Sequence, residues 1–236
     1  MTRHFALLLP VVVCICASCQ GSPTPEEKAD PVEKAVKAIE ALGGGVTRDE
    51  KLPGRPVVAV YLGDTNVTDS DLKILKEFRG LRWLNLQCTK ITDAGLKNLK
   101  ELKELQELWL YDTQITDAGL ENLKELKELR ALWLHDTRIT DVGLGHLKEL
   151  KDLQRLDLRH NPITDAGLKE LKELKGLQKL DLHGTQITDV GLKDLKELKG
   201  LRLLSLKDTQ ITDAGLEDLK QALPKTHIEW SHGPER

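Results

Sequence analysis

Hydrophobic residues recur along most of this chain with a fixed period of 24 positions. Six complete units run from Val67 to Gln210 without an insertion, and partial units precede and follow them. The unit from Ile115 reads ITDAGLENLKELKELRALWLHDTR. Its alternating L-x-L segment predicts one short β-strand, and the segment after I-T-D predicts about two helical turns.

The leucine spacing excludes a coiled coil as the source of this pattern. Leu96, Leu99 and Leu102 are three residues apart, as are the leucines that follow them. At 3.6 residues per turn, this spacing drifts by about 60° per step and forms no single helical stripe. A strand and a short helix in each unit explain the spacing, because successive units then stack into a solenoid with one continuous core.

The I-T-D-A/V-G-L motif that opens the units is interpreted as architecture. Ile115 and Leu120 are expected in the core, and Asp117 is expected to cap the helix that follows it. Ala118 and Gly119 are small, which favours close approach of neighbouring coils. Equivalent aspartates recur in every unit, whereas a catalytic site requires a unique convergence of groups.

These units resemble leucine-rich repeats of the cysteine-containing, ribonuclease-inhibitor-like class, and most of all the "TDAGL" repeats of exported proteins from planctomycete-type bacteria. The resemblance covers roughly residues 56–230. It implies an α/β horseshoe solenoid with a parallel, concave sheet of about eight strands and short convex helices. That class includes the repeats of F-box proteins, but no F-box precedes the repeats here, so an adaptor role is not carried over.

Both ends of the solenoid carry candidate caps. Apolar residues at helical spacing from Val32 to Leu42 predict an amphipathic helix within a cap over residues 31–55. After the solenoid, residues 56–230, comes a short tail, residues 231–236. Ile228 and Trp230 continue the register of the strand leucines, so Trp230 is expected to close the last coil.

The first 19 residues differ from the rest and have the form of a secretory signal. A basic start is followed by an apolar run too short to span a membrane. The run ends in CASC, which resembles a bacterial lipobox and makes Cys19 the candidate lipidation site. Cys16 departs from the usual leucine, and a plain cleaved signal or an uncleaved anchor are the alternatives. Residues 20–30 are expected to be a flexible tether.

The composition narrows the possible functions. The chain has 35 basic and 38 acidic residues and a formal charge of −3, which disfavours nucleic-acid binding. Removing the leader would leave no disulfide framework, because only Cys19 and Cys88 remain. We expect no cofactor, no metal site and contact with a membrane only through a lipid anchor.

The strand period of two places alternate residues on the concave face. Of the four Trp and two Tyr in the chain, only Trp230 lies outside these exposed rows. Rigid, exposed aromatic residues are typical anchors of binding sites, although they could instead merely cover the sheet. The candidate ligand-binding residues are Tyr61, Trp83, Trp109, Tyr111, Trp133, His135, Arg155, Asp157, Arg159 and Asp181.

The charged half of this face raises two chemical alternatives. Asp157 and Asp181 could form the carboxylate pair of a glycan hydrolase. However, an open, solvated face with Arg155 and Arg159 nearby favours two ionised carboxylates in a salt-bridge ladder. Histidines at 135, 160 and 183 occupy different columns and lack the spacing of a metal motif.

The sequence therefore predicts a non-enzymatic protein- or glycan-binding module, exported and displayed at the cell envelope. A structural spacer or assembly scaffold without a specific ligand is the main alternative. A glycan hydrolase is a remote one.

Overall fold

The computed structural model describes residues 30–231. The predicted leader, the lipidation site at Cys19, nearly all of the tether and most of the tail lie outside these residues. From Pro31 onward the described chain forms one compact unit. No helix within residues 30–231 has the length and apolar character required to cross a membrane.

The predicted solenoid is confirmed, with one strand per coil. A nine-stranded sheet follows the order of the chain, and its strands from β2 onward are parallel. The strands are β1 (Gly45–Arg48), β2 (Val57–Tyr61), β3 (Trp83–Asn85), β4 (Glu107–Trp109), β5 (Ala131–Trp133), β6 (Arg155–Asp157), β7 (Lys179–Asp181), β8 (Leu203–Ser205) and β9 (His227–Glu229).

Short helices lie on the convex side, opposite the sheet. The α-helices are α1 (Pro31–Ala41), α2 (Asp93–Leu96), α3 (Asp117–Leu120), α4 (Asp141–Leu147), α5 (Asp165–Leu171), α6 (Leu192–Leu195) and α7 (Asp213–Ala222). Turns of 3-10 helix cover Asp71–Glu77, Lys97–Leu99 and Glu121–Leu123. The repeated leucines and isoleucines between the two layers are almost fully buried and form one continuous core.

The ends are closed differently from each other. At the start, α1 packs Ala35, Val36 and Ile39 into the core, and β1 pairs with β2 in the antiparallel sense. The repeat pattern does not predict this antiparallel strand, because residues 45–48 lie outside the 24-residue units. At the other end, Ile228 pairs with Leu204 as its register predicted, and Trp230 packs against the core.

The Thr-Asp pair works differently from the prediction. Thr116, not Asp117, is the extended residue that precedes α3, and Asp117 is the first helical residue. The carboxylate of Asp117 instead reaches the next coil, where it accepts bonds from the backbone N–H and the hydroxyl of Thr140 at 2.8 and 2.6 Å. The prediction that Asp117 caps its own helix was therefore wrong, since its carboxylate links neighbouring coils.

The link repeats along the solenoid and explains the sameness of the motif. The same two bonds join Asp69 to Thr92 and Asp189 to Thr212, at opposite ends of the series. Both carboxylate oxygens are used, and bonds to a charged acceptor contribute about 1.5–3 kcal/mol each. Removing a carboxylate is expected to weaken the contact between two coils rather than one helix.

Candidate functional site

The predicted alternation along the strands is confirmed by the pairing register. Trp83, Glu107, Ala131, Arg155 and Lys179 follow one another across β3 to β7, in what we call the first row. A second row runs parallel to it, two residues further along each strand: Tyr61, Asn85, Trp109, Trp133, Asp157, Asp181, Ser205 and Glu229.

All ten candidate residues lie on this face, but they do not form one cluster. Among the five aromatic candidates, Tyr61 and Trp83 are the most open, with 48% and 38% of their surface exposed. Trp109 and Trp133 are half-buried and meet edge to face, with ring centroids 5.1 Å apart. Aromatic pairs prefer such contacts, so these two rings hold each other in place.

Tyr61, Trp83 and Trp109 border a small depression, which we call the aromatic cleft. It has a volume of about 140 Å³, and Leu84, Asn85 and Glu107 complete its lining. Within residues 30–231, neither Tyr61 nor Trp83 packs on another aromatic ring. Both rings are also exposed to solvent, so a ligand can reach them on a rigid strand framework.

A polar network lies in a third row, two residues beyond the second, where Tyr111, His135 and Arg159 follow the ends of β4, β5 and β6. His135 stacks on Tyr111 with ring centroids 4.1 Å apart. Its Nδ1 lies 3.0 Å from Asp157 Oδ2, and Arg159 donates to the same oxygen through Nη2 at 2.7 Å. Nδ1 of His135 also lies 3.4 Å from Arg159 Nη2, so the tautomer decides whether this nitrogen donates to Asp157 or accepts from Arg159. The network joins the aromatic and charged parts of the face.

Asp157 was expected to be solvated, and this expectation is wrong. Only 8% of its surface is exposed, because Arg159 and His135 fold over it. Burial acts to raise the pKa of Asp157, but hydrogen bonds from His135 and Arg159 outweigh it and lower the pKa to about 2. The pKa of Arg159 is raised, chiefly by its bond to Asp157.

This environment argues against glycoside hydrolysis. Such chemistry requires a carboxylic acid with a raised pKa that can protonate a leaving group. The pKa of Asp157 moves in the opposite direction, and Asp181 shares the guanidinium of Arg159 at 3.5 Å. The pair is an ion network, as the salt-bridge interpretation predicted.

A second depression, the charged depression, lies across β5 to β9 and has a volume of about 280 Å³. Its polar lining is Arg155, Asp157, Lys179, Asp181, Ser205 and Glu229. Arg159 pairs with both aspartates, and Lys207 pairs with Glu229 at 2.6 Å. Arg155 and Lys179 are exposed and form no ion pair with any residue between 30 and 231. Together with Arg159 and Lys207, these two cations face the three carboxylates, so positive charge is in excess by one.

The three histidines do not converge. His160 and His183 lie 4.7 Å apart by ring centroids, and His183 Nε2 is 2.9 Å from Asp208 Oδ2. His135 instead faces Asp157. Across the described part of the chain, no group of three or more His, Cys, Asp or Glu side chains is placed to hold a metal ion.

Cys88 lies at the end of its coil with a positive φ of 51°. Asp112 occupies the equivalent position of the next coil at φ 52°, and Gly184 occupies it four coils after Cys88. Burial, followed by the carboxylates of Asp64 and Asp112, raises the pKa of the thiol to about 11. The group is therefore a poor nucleophile near neutral pH.

Several lining residues were absent from the sequence prediction: Asn85, Glu107, Lys179, Ser205 and Glu229. All occupy the same rows as the candidates, so the register already indicated their direction. They are neither aromatic nor part of a carboxylate pair, so residue type alone does not single them out. Glu229 could have been found from Ile228, whose alignment with the strand leucines places its neighbour on the concave face.

Comparison with known proteins supports the architecture. A family model described as leucine-rich repeat matches residues 127–187, and a second with the same description matches residues 81–100 and 201–220. A search of curated proteins finds no match to the chain.

The solved structures to which this chain is similar include three bacterial proteins. Internalin C2 of Listeria monocytogenes is 24% identical, with a TM-score of 0.58 over 84% of this chain and 92% of that chain. Internalin F of the same organism is 22% identical, with a TM-score of 0.47 over 75% of this chain and 62% of that chain. A leucine-rich-repeat protein of Leptospira interrogans is 24% identical, with a TM-score of 0.49 over 66% of this chain and 45% of that chain. At these identities, the similarity to internalin C2 concerns the fold.

Proposed function

We propose that this chain, a leucine-rich-repeat protein, is a non-enzymatic binding module that recognises a protein ligand on its concave face. The observation that carries the proposal is the position of its aromatic residues. Tyr61, Trp83, Trp109, Tyr111 and Trp133 lie on or at the ends of four neighbouring strands, β2 to β5. Repeats that are otherwise nearly identical differ in these columns, where a ligand would make contact.

The physics of interfaces supports this use of the face. Trp and Tyr are enriched among the residues that contribute most to binding, since they bury much apolar surface with little loss of conformational entropy. Trp109 and Trp133 already hold each other at 5.1 Å, so little ordering is needed when a ligand binds. A glycan is the alternative ligand, because sugars also stack on exposed rings.

The test combines Trp109→Ala with Trp133→Ala and uses cross-linking capture from the envelope fraction of the source cells. We expect loss of a partner that the wild type captures specifically. The matched control is Val142→Ser with Val190→Ser, since these valines are 70% and 65% exposed but lie on the convex side. Thermal melting of each variant checks that the fold persists. Unchanged capture would contradict the proposal and favour a structural spacer.

We further propose that the module is exported and held at a membrane by lipid on Cys19. The support is the order of basic start, apolar run and CASC within the first 19 residues. Labelling with a radioactive fatty acid should mark the wild type and leave Cys19→Ala unmarked. Equal labelling of Cys14→Ala is the control, and an unlabelled wild type that is still exported would indicate a plain cleaved signal.

A further inference from the structure

The aromatic cleft contains a carboxylate that lacks a counter-charge. Glu107 lies in the first row beside Trp83 and lines the cleft with Trp109. No Lys, Arg or His between residues 30 and 231 forms an ion pair with Glu107. Arg82, one position before Trp83, is engaged with Glu104 instead. The cleft therefore combines open ring faces with an uncompensated negative charge.

Both features attract a cation. The faces of aromatic rings carry negative potential, which attracts a Lys or Arg group held against them. A carboxylate at the same site adds to this attraction and disfavours an anion. A volume of about 140 Å³ admits the end of one side chain rather than a larger group. The chemistry of the cleft matches an ammonium or guanidinium group.

The same row presents the opposite charge further along. Arg155 lies two strands from Glu107, and Lys179 lies three strands from it. At about 4.8 Å per strand, these separations are about 10 and 14 Å. The carboxylates near the two cations are held by Arg159, so Arg155 and Lys179 remain available to an anion.

We propose that the ligand is an extended protein segment that crosses the strands along the first row. Its Lys or Arg side chain enters the aromatic cleft, and an Asp or Glu three or four residues away contacts Arg155 and Lys179. An extended chain advances about 3.3–3.6 Å per residue, so this spacing covers 10–14 Å. The inference rests on the proposed function, and it specifies the chemistry of the ligand.

Two other ligand classes fit this pattern less well. A neutral glycan would satisfy the ring faces but leave Glu107, Arg155 and Lys179 without counter-charges. A phosphocholine headgroup carries its phosphate directly beside the ammonium, whereas the cations of this face lie about 10–14 Å from Glu107. The separation of the charges favours a peptide.

The cleft is tested first with small probes on the purified full-length protein. Tetramethylammonium chloride, titrated at constant ionic strength, is expected to perturb tryptophan fluorescence. Its neutral isostere tert-butanol is expected to bind at least about fivefold more weakly. Glu107→Gln should weaken binding of the cation at least about fivefold. Glu101→Gln, which makes the same charge change on an exposed turn, should leave its affinity unchanged. Equal binding of cation and neutral isostere would overturn the cation site.

The spacing is tested with a capped peptide of sequence Arg-Gly-Ser-Gly-Glu. Replacing Arg155 and Lys179 with Gln should reduce its affinity about tenfold and leave tetramethylammonium binding unchanged. Unchanged peptide affinity would contradict the two-point arrangement. Flotation with phosphatidylcholine vesicles, and titration with a neutral oligosaccharide, should show no binding, and binding in either arm would overturn the choice of a peptide.

Failure of this inference can be distinguished from failure of the proposed function. If the cation fails to bind but the Trp109 and Trp133 variant still loses its captured partner, the inference is wrong and the binding module stands. If the cation binds and capture is unaffected by the two substitutions, the cleft recognises cations but the broader proposal fails for that partner.

Discussion

The carboxylate of Asp117 occupies the space that a methyl group on Gly143 would need in the next coil. A Cβ added to Gly143 would fall far inside van der Waals distance of Asp117 Oδ1 and 3.0 Å from Ile139 Cγ2. The same relationship joins Asp93 to Gly119 and Asp189 to Gly215. The Asp of one coil and the Gly of the next therefore form a single packing contact between adjacent coils.

This relationship predicts opposite effects for two glycines of one helix. Gly143→Ala should destabilise the protein by about 1–2 kcal/mol, because overpacking outweighs the better helix propensity of Ala. Gly145→Ala, also in α4, meets only Glu170 at 3.6 Å and should stabilise it by up to about 1 kcal/mol. Urea denaturation of both variants measures the difference. Changes in the free energy of unfolding that have the same sign in both variants would contradict the steric account.

Removing the carboxylate should relieve the clash. In a background of Asp117→Ala, the cost of Gly143→Ala should fall by about 1 kcal/mol or more, since only Ile139 still crowds the new methyl. Asp117→Ala alone should destabilise the protein by about 2–3 kcal/mol through loss of both bonds to Thr140. A double-mutant cycle gives the coupling, and strictly additive effects would show that the two sites are independent.

The ion network of Asp157 predicts a stability that falls in acid. Its pKa is lowered to about 2 in the folded chain from an ordinary value of 3.8, so the unfolded chain binds the proton first. The contribution, about 2 kcal/mol, is complete above pH 4 and is lost as the pH falls towards 2. Other carboxylates titrate in the same range.

The difference in unfolding free energy between the wild type and Asp157→Asn isolates the contribution of the Asp157 carboxylate. It should be largest near pH 7 and shrink between pH 4 and pH 2, as measured by denaturant unfolding at each pH. The matched variant Asp181→Asn, at a more exposed carboxylate of the same ladder, should show a smaller difference. A difference between wild type and Asp157→Asn that is independent of pH would contradict the assigned network.

The thiol of Cys88 should react slowly in the folded protein. With its pKa raised from 9.0 to about 11, the thiolate fraction near pH 8 is about a hundredfold below that of the unfolded chain. Labelling with a thiol reagent should accelerate accordingly when urea is added, and Cys88→Ser should remove this step. Asp112→Asn, which removes one of the charges that raise the pKa, should speed labelling of the folded form.

The sequence by itself determined the solenoid, its register and the direction of nearly every side chain. A 24-residue period and the two-residue alternation of a strand are local properties, so counting from I-T-D-A-G-L was enough to place Trp83 or Asp157 on the concave face. The same counting could not identify what each side chain contacts.

Only the tertiary structure decided the contacts between coils. It showed that Asp117 bonds Thr140 rather than its own helix and that His135 and Arg159 contact the buried Asp157. Within residues 30–231, it left Glu107 without an ion-pair partner beside Trp83 and Trp109. It also supplied the antiparallel strand β1. The physical reason is that the contacts of Asp117 with Thr140 and of His135 with Asp157 join residues about one repeat apart, where close approach depends on how the coils stack rather than on any local periodicity.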